Sequence, residues 1–366
     1  MLAKDKFLTE QIITYLGNKR MLLDFIGEAV ESVQTDLNKN KLDILDLFSG
    51  SGIVSRYFKR YSKELYVNDL EDYCYTINKC YLTNVEDIDL FLLEKRYKFL
   101  EENLIDKRLK EGFISELYSP KNDNDIQLNE RVFYSSRNAK YIDTCRQTLN
   151  QVPEPYKTLF LGPLLYEAST KNNTSGVFKG FYKNTLTNKG QFGGNGENAL
   201  KRILSPIKIE KPILSTYSCK VHIFQEDANK LANRLPHLDL AYLDPPYNQH
   251  PYSSNYFMLN LINNYIKPND ISTVSGIPKN WNKSLYNKKS EALKNLEKIV
   301  STLNTSYIAI SFNSDGFISY DEMVFMLMKY GNVKVFEHKY NVFRGCRNLN
   351  KRSIHIKEYL FLLKKE

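Results

Sequence analysis

Short apolar runs alternate with segments of helical period along much of the chain, and this alternation predicts an α/β fold. Residues 42–48, 64–67, 219–224, 238–243 and 307–312 have the length and composition of buried strands. Residues 333–336 and 356–363 read as two final strands. Helical spacing relates Leu22, Leu23, Ile26, Ala29, Val30 and Val33, then Ile53, Val54, Tyr57 and Phe58, then Tyr73, Ile77, Cys80 and Tyr81. Two more helices are expected over 256–266 and 288–303. The rhythm changes from residue 86. Residues 91–112 are charged with apolar positions at helical spacing, 122–129 are polar and turn-like, and helical patterns return at 139–152 and 156–170. A loop rich in Gly, Asn, Lys, Phe and Tyr runs from 172 to 196. The expected organisation is one α/β domain from residues 1–85 and 216–366, with 86–215 inserted as a largely helical second domain.

Composition adds a partner class. The 51 Lys+Arg exceed the 42 Asp+Glu, and the resulting +9 suits a polyanion whose counterions are released on binding. The 26 Tyr and 20 Phe supply flat faces for stacking on bases. The 5 Cys and 5 His are scattered and form no ligand spacing, so neither a metal centre nor a disulfide framework is expected. No signal peptide opens the chain and no apolar run approaches a membrane span, which leads to the expectation of a cytoplasmic protein.

The chemistry concentrates at strand ends. The run 238–243 ends in Asp244-Pro245-Pro246-Tyr247. Two prolines forbid ladder bonding and stiffen the backbone, so a carboxylate and an aromatic ring are held at the carboxyl edge of the sheet. Open α/β sheets bind ligands at that edge. Such a group suits methylation of an exocyclic amine, a poor nucleophile whose lone pair is delocalised into its base. Asp244 and the carbonyl of Pro245 are suited to accept its two hydrogens, while Tyr247 stacks on the base. Asp-Pro-Pro-Tyr also occurs in plain turns, and other features decide the matter.

The run 42–48, with Asp46 and Phe48, enters Ser49-Gly50-Ser51-Gly52, a turn in which backbone approaches a nucleotide-like ligand closely. Asn68-Asp69 follows roughly twenty residues beyond the glycines, where an acid is placed to accept ribose hydroxyls. Asp227 ends another strand. Near the amino terminus, Tyr15-Leu16-Gly17-Asn18-Lys19 leads into a helix with Asn18 as N-cap. The helix dipole disfavours a cation at Lys19, so either it serves an anionic partner such as a carboxylate or it is a solvated lysine. In the long loop, Phe178-Lys179-Gly180-Phe181-Tyr182-Lys183 interleaves basic and aromatic residues, a composition suited to nucleic acid, with Lys179 and Lys183 meeting phosphates; an ordinary polar loop is the alternative. A nicotinamide-dependent oxidoreductase also uses a glycine turn and an acid like Asp69. The incomplete glycine spacing and the missing proton-donor constellation argue against it. Intact Asp244 and Tyr247 argue against a DNA-binding module without catalysis.

In this order the motifs resemble an N6-adenine DNA methyltransferase of the Dam-like alpha class, common in restriction–modification systems. Tyr15 to Lys19 is similar to that family's amino-terminal cofactor motif and Asp46 to Gly52 to its glycine motif. Asp69 is similar to its ribose-binding acid, Asp227 to the residue near the cofactor adenine, and Asp244 to Tyr247 to its catalytic motif. The tail Asn248-Gln249-His250-Pro251-Tyr252 is similar to tails among relatives, with Asn248 and Tyr252 near DNA. Tyr340 to Gly345 matches the last base-pocket motif only loosely.

The resemblance implies a seven-stranded, Rossmann-like methyltransferase sheet whose last strand is antiparallel, with target recognition in 86–215. It implies methyl transfer from S-adenosylmethionine to N6 of an adenine flipped out of double-stranded DNA, without a metal. It also implies a cognate restriction endonuclease as a functional partner. A methyltransferase acting on an exocyclic amine in structured RNA is the alternative.

Overall fold

The computed structural model describes residues 5–194, 199–246, 248–341 and 355–366. The chain clusters into two compact units. One comprises Met1–Gly17, Lys79–Leu214 and Tyr252–Trp281, and the other comprises Asn18–Asn78, Ser215–Pro251 and Asn282–Glu366. Most of the expected insertion, through Leu214, lies in the first unit. That unit also takes in the amino-terminal segment and residues 252–281, which the strand–helix rhythm assigned to the α/β domain. Phe257 packs with Tyr118, Phe133 and Phe178, and Thr14 N donates to Ser169 Oγ at 3.1 Å, contacts that sequence proximity does not report.

The second unit is built on seven strands: β1 (Leu42–Asp46), β2 (Ser62–Asn68), β3 (Lys220–Phe224), β4 (Leu238–Leu243), β5 (Thr305–Asn313), β6 (Gly331–Asn341) and β7 (His355–Lys365). They form one sheet in the order β3-β2-β1-β4-β5-β7-β6. The first five are mutually parallel, and β7 runs antiparallel between β5 and β6. The expected methyltransferase sheet with its antiparallel last strand is therefore present. β4 is buried at every position, as a near-continuous apolar run in a central parallel strand should be.

Alternation along the strands divides the sheet into two faces. Leu45, Leu47, Ala241, Leu243, Ile308, Ile310 and Phe361 pack with Leu231, Leu296, Ile299, Met323 and Met326 from the helices Ala228–Ala232, Lys289–Thr302 and Tyr320–Leu327. On the opposite face, Tyr242 meets Phe58 edge-on at 5.6 Å and Asp46 accepts from Ser55, both from the helix Ile53–Phe58. The hydrophobic pattern does not predict helix Tyr320–Leu327, although Ser319 and Glu322 form a reciprocal capping box at its start. Strands β6 and β7 are also longer than their apolar runs. Lys334, Glu337 and Lys339 interrupt the pattern on an edge strand, where charged side chains are tolerated.

The first unit is helical. Helices Ser136–Leu149, Tyr156–Thr170 and Phe257–Asn264 pack around an aromatic cluster of Tyr118, Phe133, Phe178 and Phe257. Among its described residues, β-pairing is limited to the bridges Lys183–Gly190 and Ile271–Pro278.

Candidate active site

β1 ends on Asp46 and the chain turns through Ser49-Gly50-Ser51-Gly52 into helix Ile53–Phe58. Gly50 and Gly52 have φ of 50° and 75°, a region that side chains rarely adopt. A Cβ on Gly52 would stand 2.7 Å from Asn78 Oδ1. Asn78 is itself anchored, donating to Ser49 Oγ at 2.8 Å and to the Cys74 carbonyl at 2.9 Å. Ser51 is buried in the turn. Phe48 meets Tyr286 edge-on at 5.2 Å.

Asp69, just past β2, closes this turn. Its Oδ2 accepts from Gly50 N at 2.8 Å and its Oδ1 from Glu71 N at 3.0 Å. A carboxylate offers about four lone-pair sites, so both oxygens retain capacity for a ligand. Burial raises the Asp69 pKa, against the backbone hydrogen bonds that lower it. Asp46 is fully buried; its Oδ2 accepts from Ser55 Oγ at 2.5 Å and its Oδ1 has no hydrogen-bond partner. Burial lifts its pKa to about 7, with the charges of Asp244 and Asp69 adding to that rise.

Asp244 follows β4 and keeps 19% of its side chain exposed. Burial raises its pKa to about 6, opposed by Lys19 and reinforced by Glu358. Lys19 opens a 3₁₀ turn, Lys19–Leu22, whose cap Asn18 accepts from Arg20 N at 2.8 Å. Its anionic partners are two carboxylates of the protein: Asp244 Oδ1 at 3.2 Å and Glu358 Oε1 at 2.8 Å. Ser311 Oγ also donates to Glu358 Oε1, at 2.6 Å. Glu358, Ser311, Asn78 and Tyr286 appear in no motif recognised from sequence. For Glu358 the available signal is one acid on the apolar face that Leu360 and Leu362 share.

Pro245 is buried and Pro246 partly so, while Tyr247 lies outside the described residues, as do residues 342–345 of the loosely matched Tyr340 to Gly345 segment. Asn248 folds back on its own loop, its Oδ1 accepting from His250 N at 2.9 Å and its carbonyl from Asn287 Nδ2 at 2.7 Å. Asp227 is the N-cap of helix Ala228–Ala232, its carboxylate accepting from Lys230 N at 3.0 Å.

The remaining expected residues belong to the first unit. Tyr15 stacks on Tyr252 and Tyr256, each at 4.9 Å. The Tyr252 hydroxyl donates to the Leu16 carbonyl at 3.1 Å, and Leu16 N donates to the Tyr256 hydroxyl at 2.7 Å. These contacts hold the bend at Gly17, where φ is 73°. The ring and hydroxyl of Tyr252 are therefore engaged with residues 15 and 16.

The expectation that Phe178 to Lys183 lies at DNA as a unit is corrected for Phe178. Its ring is 1% exposed among Phe133, Tyr134 and Phe257, because a phenyl ring gains more from that core than from solvent. Lys179 is exposed and Lys183 half-buried, its ammonium 5.4 Å from the centre of the Phe181 ring. From Lys183 the chain makes a short hairpin back to Gly190. The Asn184 side chain accepts from Leu186 N and Thr187 N at 3.0 Å each, and Leu186 at the tip is 94% exposed.

Comparison with known proteins gives the family of the chain. The model of the D12 class N6 adenine-specific DNA methyltransferase family matches residues 15–326. The chain belongs to this family. Methylation of adenine N6 in DNA, expected from motif order, is its reaction. Among relatives of this D12 methyltransferase, the type II methyltransferase M.NlaIII of Neisseria lactamica is 28% identical over 363 residues, covering 96% of this chain and 99% of that protein. The type II methyltransferase M.CviAII of Paramecium bursaria Chlorella virus 1 is also 28% identical, covering 96% and 98%. The type II methyltransferase M.FokI of Planomicrobium okeanokoites is 26% identical over 96% of this chain but 52% of its own length.

The donor set fits a cationic methyl donor. Asp46, Asp69 and Asp244 approach one another at the carboxyl ends of adjacent strands, and Asp46 presents a buried oxygen without a partner. Among the described residues no cluster suits a metal ion, and no helix is long and apolar enough to cross a membrane.

Proposed function

We propose that this D12 methyltransferase takes its methyl group from S-adenosylmethionine, held against the glycine turn and Asp69. The target is adenine N6 in double-stranded DNA, with the base flipped out of the helix. The observation that carries the reading is the convergence of Asp46, Asp69 and Asp244 beside the turn at Gly50 to Gly52. The bound donor supplies an electrophilic methyl on a positively charged sulfur. Asp69 holds ribose hydroxyls on its remaining lone pairs, Asp46 and Lys19 border the polar end of the donor, and Phe48 and Asp227 flank its base. Ser51 lines the approach through its backbone, and Tyr15 holds the bend at Gly17 within the first unit.

Asp244 and the Pro245 carbonyl accept the two amine hydrogens, which localises the nitrogen lone pair toward the methyl. Pro246 keeps that backbone rigid and Tyr247 stacks on the flipped base. Acceptors fixed in advance stabilise the positive charge that grows on the amine. Extrusion of a paired base costs a few kcal/mol, and stacking offsets ~1–3 kcal/mol of it. Lys179 and Lys183 meet phosphates, and Asn248 lies near the DNA through its loop. Leu186, at the hairpin tip, is a side chain of the kind that wedges between base steps.

The sequence kinship with type II methyltransferases supports a role beside a cognate restriction endonuclease, on DNA in the cytoplasm. Asp244→Asn tests the catalytic reading. Labelled-methyl transfer to duplex DNA should fall at least about a hundredfold while calorimetric donor affinity stays within about threefold, as for a group acting mainly in the transition state. Near-normal turnover would refute it, and methyl incorporation into RNA but not DNA would refute the substrate.

A further inference from the structure

Glu358 lies on β7, beyond the residues 15–326 that the family model matches. It is 1% exposed, on a strand position paired with Asn313 at the end of β5. An acid buried this deeply is costly, and an apolar residue there would commonly give a fold at least as stable. Both hydrogen bonds fall on one oxygen: Oε1 accepts from Lys19 Nζ at 2.8 Å and from Ser311 Oγ at 2.6 Å. Oε2 is buried without a hydrogen-bond partner. Lys19, 5% exposed, thus stands between two carboxylates, and its shorter contact goes to Glu358 rather than to Asp244.

We propose that Glu358 is a positioning residue for methyl transfer: it draws the Lys19 ammonium partly away from Asp244, so that Asp244 remains a strong acceptor for the target amine. The inference rests on the proposed role of Asp244. One ammonium suffices to balance one carboxylate, so the second acid leaves the cluster with a net negative charge when all three groups are ionised. That excess sits where the target amine becomes cationic, and in a buried site it acts with little screening. The charged or titratable groups facing Asp244 are Lys19 from the turn before helix Leu23–Leu37, Glu358 from β7, Asp46 from β1 and Tyr242 from its own strand. Of these, Glu358 competes for Lys19 by direct contact, at 2.8 Å against 3.2 Å for Asp244.

Glu358→Gln keeps the shape and removes the charge, leaving Lys19 to Asp244. The single-turnover rate on duplex DNA should fall about tenfold, equivalent to ~1.4 kcal/mol of barrier. Donor affinity by calorimetry should stay within about threefold, and the acid limb of the rate–pH profile should move down by roughly one pH unit. Glu358→Asp, which retains the charge, should restore most of the rate. Ser311→Ala should act in the opposite direction. It frees Oε1 for Lys19, which shifts further from Asp244, and the acid limb moves up.

An acid limb unmoved in a folded Glu358→Gln protein would overturn the proposal. If that variant does not fold, Ser311→Ala decides, and an unmoved limb there overturns it equally. Asp244→Asn separates the two readings. An inactive Asp244→Asn with an unmoved Glu358→Gln profile removes only the role of Glu358, whereas an active Asp244→Asn removes the role of Asp244 itself.

Discussion

Asp46→Asn should make the protein more stable at neutral pH and a poorer binder of its methyl donor. The wild-type carboxyl is lifted from its ordinary 3.8 to about 7, chiefly by burial. Carrying the ionised form in the folded state above pH 7 therefore costs ~4 kcal/mol. Asparagine keeps the shape and can still accept from Ser55, but its second polar atom takes the place of Oδ1, which has no partner. Leaving that atom buried and unpaired costs ~1–3 kcal/mol. The balance is a gain of ~1–3 kcal/mol above pH 7, or a few degrees in Tm for a protein of this size.

The pH dependence separates this account from a simple packing change. Because the folded-state pKa is raised, the folded wild type binds more protons than the unfolded chain between pH 3.8 and about 7, and it loses stability as pH rises through that window. The variant has no such loss. In urea titrations at a series of pH values, Asp46→Asn should start at or below wild type near pH 4 and cross above it by about pH 7. A difference between the two proteins that stays constant across the series would refute the reasoning.

Gly52→Ala forces a side chain into φ 75° and 2.7 Å from the anchored Asn78 Oδ1, so the urea midpoint should fall by ~2–4 kcal/mol equivalent; an unchanged midpoint would show that Asn78 yields freely. Asp69→Ala removes the acceptor of Gly50 N and should weaken calorimetric donor affinity by ~1.5–3 kcal/mol, with unchanged affinity removing Asp69 from the site. Leu186→Ala should leave Tm unchanged, since the side chain is 94% exposed. Its loss should weaken duplex DNA binding at least about tenfold, given that burying a leucine is worth ~1.5–3 kcal/mol; wild-type affinity would place the hairpin away from DNA.

What the sequence by itself determined was local. Strands β1, β2, β4 and β5 are apolar runs, and the glycine turn, Asp69 and Asp244 sit at their ends, because a few consecutive residues suffice to define a strand end and a turn. Motif order along the chain then carried the family. Charge placement at a helix mouth left an anionic partner and a solvated lysine both open for Lys19, and the structure gives it carboxylates. Only the tertiary structure decided which anion. Lys19 and Glu358 meet across 339 positions of sequence, through the antiparallel register of β7 on β5, and no local pattern encodes that register.

The same reason governs Phe178. Its neighbours in the chain are basic and flexible, whereas its neighbours in space are Phe133, Tyr134 and Phe257, and burial is decided in space. Tyr15 and Tyr252 read as ligand contacts along the chain, and their stacking on each other, with Leu16 meeting the Tyr252 hydroxyl across 236 positions of sequence, is a contact that no local pattern reports. A motif declares its residue types and spacing. Which of those side chains remain free to meet a ligand depends on contacts made by segments far away in the sequence.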